Sequence, residues 1–183
     1  MAWLSNQFLI AMPTMKDPFF ERTVTLICQH NEEGALGVVV NVTTDLKLID
    51  IYEQLSLDHN DAPEVTQPVH YGGPVQSRRG LILHDSGDEF SSIQIGTTLG
   101  LTTSRDVLEA ISIQRGPRNC IPVLGFAGWE SGQLEDEIRQ NVWLATPANN
   151  SIIFDTPVQQ RWESAASLVG VDFSTLSTEV GHA

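Results

Sequence analysis

Four stretches of this 183-residue chain carry side chains that could bind or transform a ligand. Cys28 and His30 stand two apart in an apolar, β-branched run. Alternate residues of a strand share a face, so the two read as a thiolate–imidazole couple, as two metal ligands, or as an inert core thiol beside a histidine. The second stretch is Gly72-Gly73-Pro74, followed by Arg78-Arg79-Gly80 and then His84-Asp85. Successive glycines can turn backbone N–H groups into an anion nest with Arg79 as counter-charge, or simply make a tight turn. The third is Asp17-Pro18-Phe19-Phe20-Glu21-Arg22. Its two phenylalanines either plug the core or form a partner surface, and Asp17, Glu21 and Arg22 make either an acid/base cluster or an ion-pair clasp. In the fourth, Trp129 precedes Gly132-Gln133-Leu134-Glu135 at a strand-to-helix junction, a platform for a small ligand.

His30, Gly72, Gly73, Arg79, His84, Trp129 and Gln133 are therefore the candidate pocket residues. Asp17, Phe19, Phe20, Glu21 and Arg22 are the candidate clasp or partner surface. No residue acquires a catalytic role, and no metal or cofactor is indicated: besides Cys28 only Cys120 occurs, with no zinc or disulfide spacing. Phosphate-loop, nucleophile-elbow, metal-helix and dinucleotide-turn motifs are all missing, so the chain has no recognisable catalytic motif.

Charge narrows the partners. The formal net charge is −13, from 23 acidic and 10 basic residues, which disfavours direct binding to nucleic acid. The acids crowd the outer thirds. Residues 71–120 carry five Arg against five acids and are the place where an anionic ligand would enter, unless those Arg pair with the surplus Asp and Glu. No apolar run is long enough to span a membrane and no signal-peptide pattern opens the chain; with two isolated cysteines, this predicts a cytoplasmic protein.

The elements that must position these residues follow from periodicity. Strands are predicted over Phe8–Met12, Thr23–Cys28, Leu36–Asn41, Gly80–His84, Ser92–Gly96, Ile121–Trp129, Trp143–Ala145 and Ile152–Asp155, with a surface loop over Asp58–Pro68. Helices are predicted over roughly residues 46 to 56, from a Thr103-Ser104-Arg105-Asp106 cap to Gly116-Pro117, over Gln133–Gln140, and from Pro157 to Gly170. Strands and helices intermingle without strict βαβ alternation, which indicates an α+β fold in one domain over 1–183.

Several of these blocks together resemble the AlgH/YqgE-type family of bacterial proteins. They include Phe8-Leu9-Ile10-Ala11-Met12-Pro13, Asp17 to Val24, His30-Asn31-Glu32, Gly72-Gly73-Pro74-Val75 with Arg79-Gly80, and Thr102-Thr103-Ser104. Gly125-Phe126-Ala127-Gly128-Trp129, Gly132 to Glu135, Asn141-x-Trp143-Leu144, Phe154-Asp155 and Arg161-Trp162 complete the set. The resemblance spans residues 8 to about 173, leaving 174–183 as a tail. It implies a bifurcated, largely antiparallel sheet curled into a pseudo-barrel with flanking helices. The family is labelled a regulator of transcription and has no agreed catalytic residues. Combined with the charge, that implies regulation exerted indirectly through an unidentified protein partner. The alternative is a small-molecule or nucleotide-binding protein, enzymatic or not, with an Arg/Gly-lined anion pocket. One departure from the family pattern is Val42-Thr43-Thr44 after Asn41, where a basic residue and a proline are usual.

Overall fold

Ten strands and five α-helices form in a computed structural model that describes residues 3–85, 89–90, 93–103 and 105–175. The strands are β1 (Gln7–Ala11), β2 (Val24–Asn31), β3 (Gly34–Val39), β4 (Thr43–Lys47), β5 (Pro68–Tyr71), β6 (Val75–His84), β7 (Ile93–Ile95), β8 (Leu99–Thr102), β9 (Cys120–Glu130) and β10 (Trp143–Pro147). The helices are α1 (Leu48–Gln54), α2 (Arg105–Ser112), α3 (Gln133–Arg139), α4 (Asn150–Phe154) and α5 (Arg161–Ser167). Of the predicted features, Ser92, the Ser104 of the helix cap and tail residues 176–183 lie outside the described residues.

The chain divides into two compact units, Met1–Asn41 with Ala127–Ala183, and Val42–Phe126. No linker marks the second boundary, because it falls between Phe126 and Ala127, inside β9.

In the first unit the sheet order is β10-β1-β2-β3-β9, antiparallel throughout, with Leu9 opposite Ala145, Leu26 opposite Val38, and Ala35 opposite Trp129. A core forms from Leu9, Ala11, Ile27, Ala127, Trp129, Leu134 and Trp143, where alternate strand residues meet the one buried side chain of α3. Trp162 of α5 donates its indole N–H to the Ala11 carbonyl, and Arg161 donates to the carbonyls of Val40 and Thr156. These bonds satisfy the polar ends of a helix whose Trp162, Ala165 and Ala166 are buried.

In the second unit the order is β4-β5-β9-β6-β8-β7, with β5–β9 parallel and the rest antiparallel. The α+β class and largely antiparallel pairing follow the expectation, and β9, which pairs with β3, β5 and β6, is where the sheet branches. Leu48 and Tyr52 of α1 pack with Val107, Leu108 and Ile111 of α2 and Ile82 of β6.

Strand β6 begins at Val75, five residues before the predicted strand, and its pairing with β9 shifts register between Val75 and Gly80. Gln76 lies there at φ 46, as residues in bulges do. Opposite the bulge stands Gly125 at φ 72, where a Cβ would meet the Gly73 carbonyl oxygen at 2.5 Å and Ser77 Cα at 2.9 Å. Only glycine allows that approach.

Ile152–Asp155 is not a strand. Asn149 caps a helix there, its side-chain oxygen accepting from the Ile152 N–H at 3.2 Å, a start signal that outweighs the β-branched pair. Strands β4, β5 and β8 arise where no strand is predicted; each is short and is held by its pairing, β4 with β5, β5 with β9 and β8 with β6. The last helix starts at Arg161 after a 3-10 turn over Val158–Gln160 rather than at Pro157.

Candidate functional site

A cleft in the second unit is built from α1, α2, β6, β8 and β9. In α1 the Asp50 carboxylate accepts from the Lys47 N–H at 2.7 Å and fixes the first turn. Ile51 and Leu55, one turn apart, then line the cleft, while buried Tyr52 donates its hydroxyl to the Leu108 carbonyl of α2 at 3.1 Å. Thr103, Arg105 and Leu108 line it from the start and body of α2, Thr102 from β8, Leu124 from β9, and Arg78, Gly80, Leu81 and Ile82 from β6. With Gln54 the lining is complete around about 280 Å³, near the lower end of the size range of small-molecule sites.

The charge of this lining departs from that of the chain. Among the described residues none in the lining is acidic and two are Arg, in a protein with 23 acidic side chains. Arg105 forms an i,i+4 pair with Glu109 at 3.1 Å, both side chains half exposed, so the pair is weak and replaceable. Arg78 is exposed and makes no ion pair among the described residues. A planar guanidinium without a carboxylate, at the edge of an aliphatic surface, is suited to an organic anion.

The residues singled out from sequence fall into two sets. His30, Trp129 and Gln133 belong to the first unit; Gly72, Gly73, Arg79 and His84 belong to the second. None of the seven lines the cleft. His30 is engaged at both ring nitrogens. Nδ1 accepts from the Leu4 N–H at 3.0 Å and Nε2 contacts Glu135 Oε1 at 2.9 Å, so the neutral ring carries its proton on Nε2. Trp3 meets the same ring edge-on at 5.1 Å.

Trp129 donates its indole N–H to Glu137 Oε2 at 2.9 Å, Trp143 donates to the same oxygen at 2.8 Å, and Gln133 donates to Oε1 at 2.9 Å. These are core polar contacts that leave the Trp129 face against Phe20 and Trp143. In the second unit the Gly72 N–H donates to the Leu124 carbonyl at 2.8 Å. A Cβ on Gly72 would lie 2.3 Å from both the Gly125 oxygen and Val123 Cγ1, so close packing accounts for this glycine. Arg79 donates to Gln76 Oε1 at 3.1 Å on the surface. His84 is fully buried, and burial lowers its pKa, opposed in part by Asp85.

Cys28 donates to the Leu26 carbonyl and shares no contact with the His30 ring nitrogens. Burial raises its thiol to about 12, a hydrogen bond with the Val38 backbone offsetting only part; burial, then Glu64 and Asp85, raises Cys120 to about 12. Both thiols stay protonated and unreactive. Among the described residues no group of three His, Cys, Asp or Glu could hold a metal ion.

In the Asp17–Arg22 loop the phenylalanines separate. Phe20 packs edge-on to Trp143 at 5.6 Å while Phe19 is 51% exposed. Asp17 accepts from the Phe19 N–H through its side chain and from Phe20 and Glu21 through its backbone, and Arg22 lies 4.4 Å over the Trp162 ring. The loop is thus held by turn bonds and a cation–π contact, with no ion pair inside it among the described residues.

The cleft residues missed in the sequence are Arg78, Ile51, Leu55, Thr102, Thr103, Arg105 and Leu108. Their signal was the five Arg of the middle third combined with the aliphatic spacing of α1; the expectation fell on Arg79 beside the glycine turn, whereas Arg78 lines the cleft.

Fold and cleft together define an α+β protein with two sheet-centred units, one bearing an Arg-lined aliphatic cleft. The chain belongs to the AlgH-like family of bacterial proteins, whose model matches residues 8–174. It is 49% identical to a UPF0301 protein of Methylococcus capsulatus over 181 residues, covering 98% of this chain and 96% of the relative. A UPF0301 protein of Nitrosococcus oceani is 46% identical, with 100% and 98% covered. The solution structure of AlgH from Pseudomonas aeruginosa superposes with a TM-score of 0.80 at 44% identity, covering 100% of this chain and 97% of that one. A crystal structure of a Corynebacterium diphtheriae protein shares the fold at 20% identity, with a TM-score of 0.72 and 90% and 86% covered. Among the described residues no helix is long and apolar enough to cross a membrane.

Proposed function

We propose that this protein binds a small organic anion in the cleft of its Val42–Phe126 unit, as a binding module and not as a catalyst. One observation carries the reading: among the described residues the cleft is lined by two Arg and no acid in a chain of net charge −13. Such a bias favours an anion that the rest of the surface repels. Among the described residues no thiol, histidine or carboxylate lines the cleft to act as nucleophile or general base, which is why binding is preferred to turnover.

The test is amide NMR and thermal unfolding of the full chain against small carboxylates, sulfonates and phosphate esters. A ligand at a hundred times its Kd stabilises by about 2.7 kcal/mol. Shifts should centre on Thr103, Arg105 and Leu108, and Arg78→Ala should move them to at least about tenfold higher ligand concentration while Arg79→Ala leaves them unchanged. A flat response to every anion, in both shifts and stability, overturns the reading.

A second reading, regulation of transcription in the cytoplasm through a protein partner, is favoured by Phe19, whose ring is 51% exposed beside a core-packed Phe20. The net charge opposes direct contact with DNA. Phe19→Ser should then remove the partner from a pull-down without lowering thermal stability; capture that is unchanged in Phe19→Ser counts against it.

A further inference from the structure

We infer that the anion the cleft takes is an aliphatic monocarboxylate, and not a nucleotide or a phosphorylated metabolite. This rests on the anion-binding reading above and specifies its ligand.

Size sets the first limit. About 280 Å³ is the volume of roughly nine water molecules, which suits an acid of about six to eight carbons.

The second limit is surface chemistry. Ile51, Leu55, Leu81, Ile82, Leu108 and Leu124 make an aliphatic lining, and among the described residues no aromatic ring lines the cleft. Nucleobases are commonly held by stacking on aromatic side chains, which this cleft does not offer, whereas methylene groups gain from any aliphatic contact.

Charge supplies the third limit. Arg78 has no ionic partner among the described residues, whereas Arg105 is already shared with Glu109. One unshared guanidinium balances one negative charge, and its fork matches the two oxygens of a carboxylate. A phosphate monoester carries nearly two charges at neutral pH, and the excess would face Glu109 and a field of net −13. Thr103, exposed at the cleft, adds a hydroxyl donor beside Arg105.

The experiment is isothermal calorimetry with amide NMR on the full chain, using octanoate, hexanoate, butyrate, octanol, AMP and inorganic phosphate as probes. Octanoate should bind with shifts at Thr103, Arg105 and Leu108. Affinity should fall about fourfold for each methylene removed. Octanol should bind at least about tenfold more weakly, as should octanoate to Arg78→Ala, in which an exposed side chain is removed. Leu55→Asp, at a position 37% exposed, should abolish octanoate binding by placing a carboxylate in the lining, and its circular dichroism should match the parent. Comparable binding of AMP or phosphate, or indifference to chain length, overturns the monocarboxylate while sparing the anion site. Octanol binding as tightly as octanoate overturns it too, as does octanoate binding undiminished in Arg78→Ala. If no anion binds, both readings fall.

Discussion

Tyr52 donates its hydroxyl to the carbonyl oxygen of Leu108 over 3.1 Å, in a fully buried contact that ties α1 to α2. Both helices line the cleft, so this bond fixes the separation of the surfaces that a ligand must bridge. A phenolate could not donate it. Burial, reinforced by the nearby Cys120 thiol, raises the Tyr52 pKa from 10.0 to about 12. Because the folded value lies above the unfolded one, the stabilisation is complete below pH 10 and is lost as pH rises from 10 through about 12. Ultraviolet titration should show Tyr52 ionising about two pH units later than a free tyrosine, in step with loss of the fold. Tyr52→Phe should remove that late step and cost about 1–2 kcal/mol in urea unfolding, since the Leu108 carbonyl is left without its donor. A Tyr52 that ionises near 10 in the intact fold refutes the contact.

The carboxylate of Glu137 joins two tryptophans in the first unit. Its Oε2 accepts both indole protons, from Trp129 and Trp143, each ring less than a tenth exposed. Glu137→Ala leaves two buried N–H groups without an acceptor and should cost about 2–4 kcal/mol, with a loss of near-ultraviolet dichroism. Glu137→Gln keeps one oxygen for both indoles, but its amide then faces that of Gln133, whose own oxygen already accepts from the Glu130 N–H. Its cost should be nearer 1 kcal/mol. Equal costs for Ala and Gln would mean that the carboxylate's charge, not its oxygen, holds the pair.

His30 fastens the segment Trp3–Ser5 to β2: its ring accepts from the Leu4 N–H, and its backbone N–H donates to the Ser5 hydroxyl at 3.1 Å. On its other side it holds Glu135. That carboxyl is lowered below the usual Glu value, first by its own backbone N–H, with burial opposing and His30 and then Arg139 adding to the lowering. A depressed carboxyl stabilises above its unfolded pKa of 4.5 and loses that contribution as pH falls through the lower folded value. Glu135→Gln should therefore flatten the acid limb of the stability profile. His30→Phe should cost about 2–3 kcal/mol and release Trp3, seen as red-shifted emission relative to Trp3→Phe. Unchanged Trp3 emission in His30→Phe would show that the ring does not anchor the segment.

Much of this was legible in the residues. The long apolar runs of β1, β2 and β9 and the amphipathic α1, α2 and α3 carry their period on their face, because burial on one side dictates it. What escaped was local or distant. Asn149 capping overrode a β-branched Ile152-Ile153 pair, and the bulge that opens β6 depends on Gly125, some fifty residues on. The cleft shows the same limit. The five Arg of the middle third marked the region, but choosing Arg78 over Arg79 needs the register of β6 against β9, which shifts between Val75 and Gly80, the stretch that holds both. The boundary between the two units was invisible for a related reason: it cuts a continuous strand, where composition has no cause to change.

Gly125 carries a prediction that connects the strand to the cleft. Its φ of 72 and the 2.5 Å and 2.9 Å that a Cβ would leave to the Gly73 oxygen and Ser77 Cα mean that alanine meets backbone on both counts, with no flexible side chain to yield. Gly125→Ala should cost at least about 2–3 kcal/mol, from the left-handed backbone and the displaced neighbours together. Ser77 belongs to the irregular stretch of β6 between Val75 and Gly80 that also holds Arg78, so the displacement should reach the cleft although Gly125 does not line it. The expected signature is amide shifts in Gly73 to Gly80 and weaker anion binding at temperatures where the variant is still fully folded. Arg78→Ala should weaken binding equally with a stability change within about 0.5 kcal/mol, because it removes an exposed side chain and strains nothing. If Gly125→Ala proves as stable as the parent, the close approach of β9 to the bulge is not what seats Arg78.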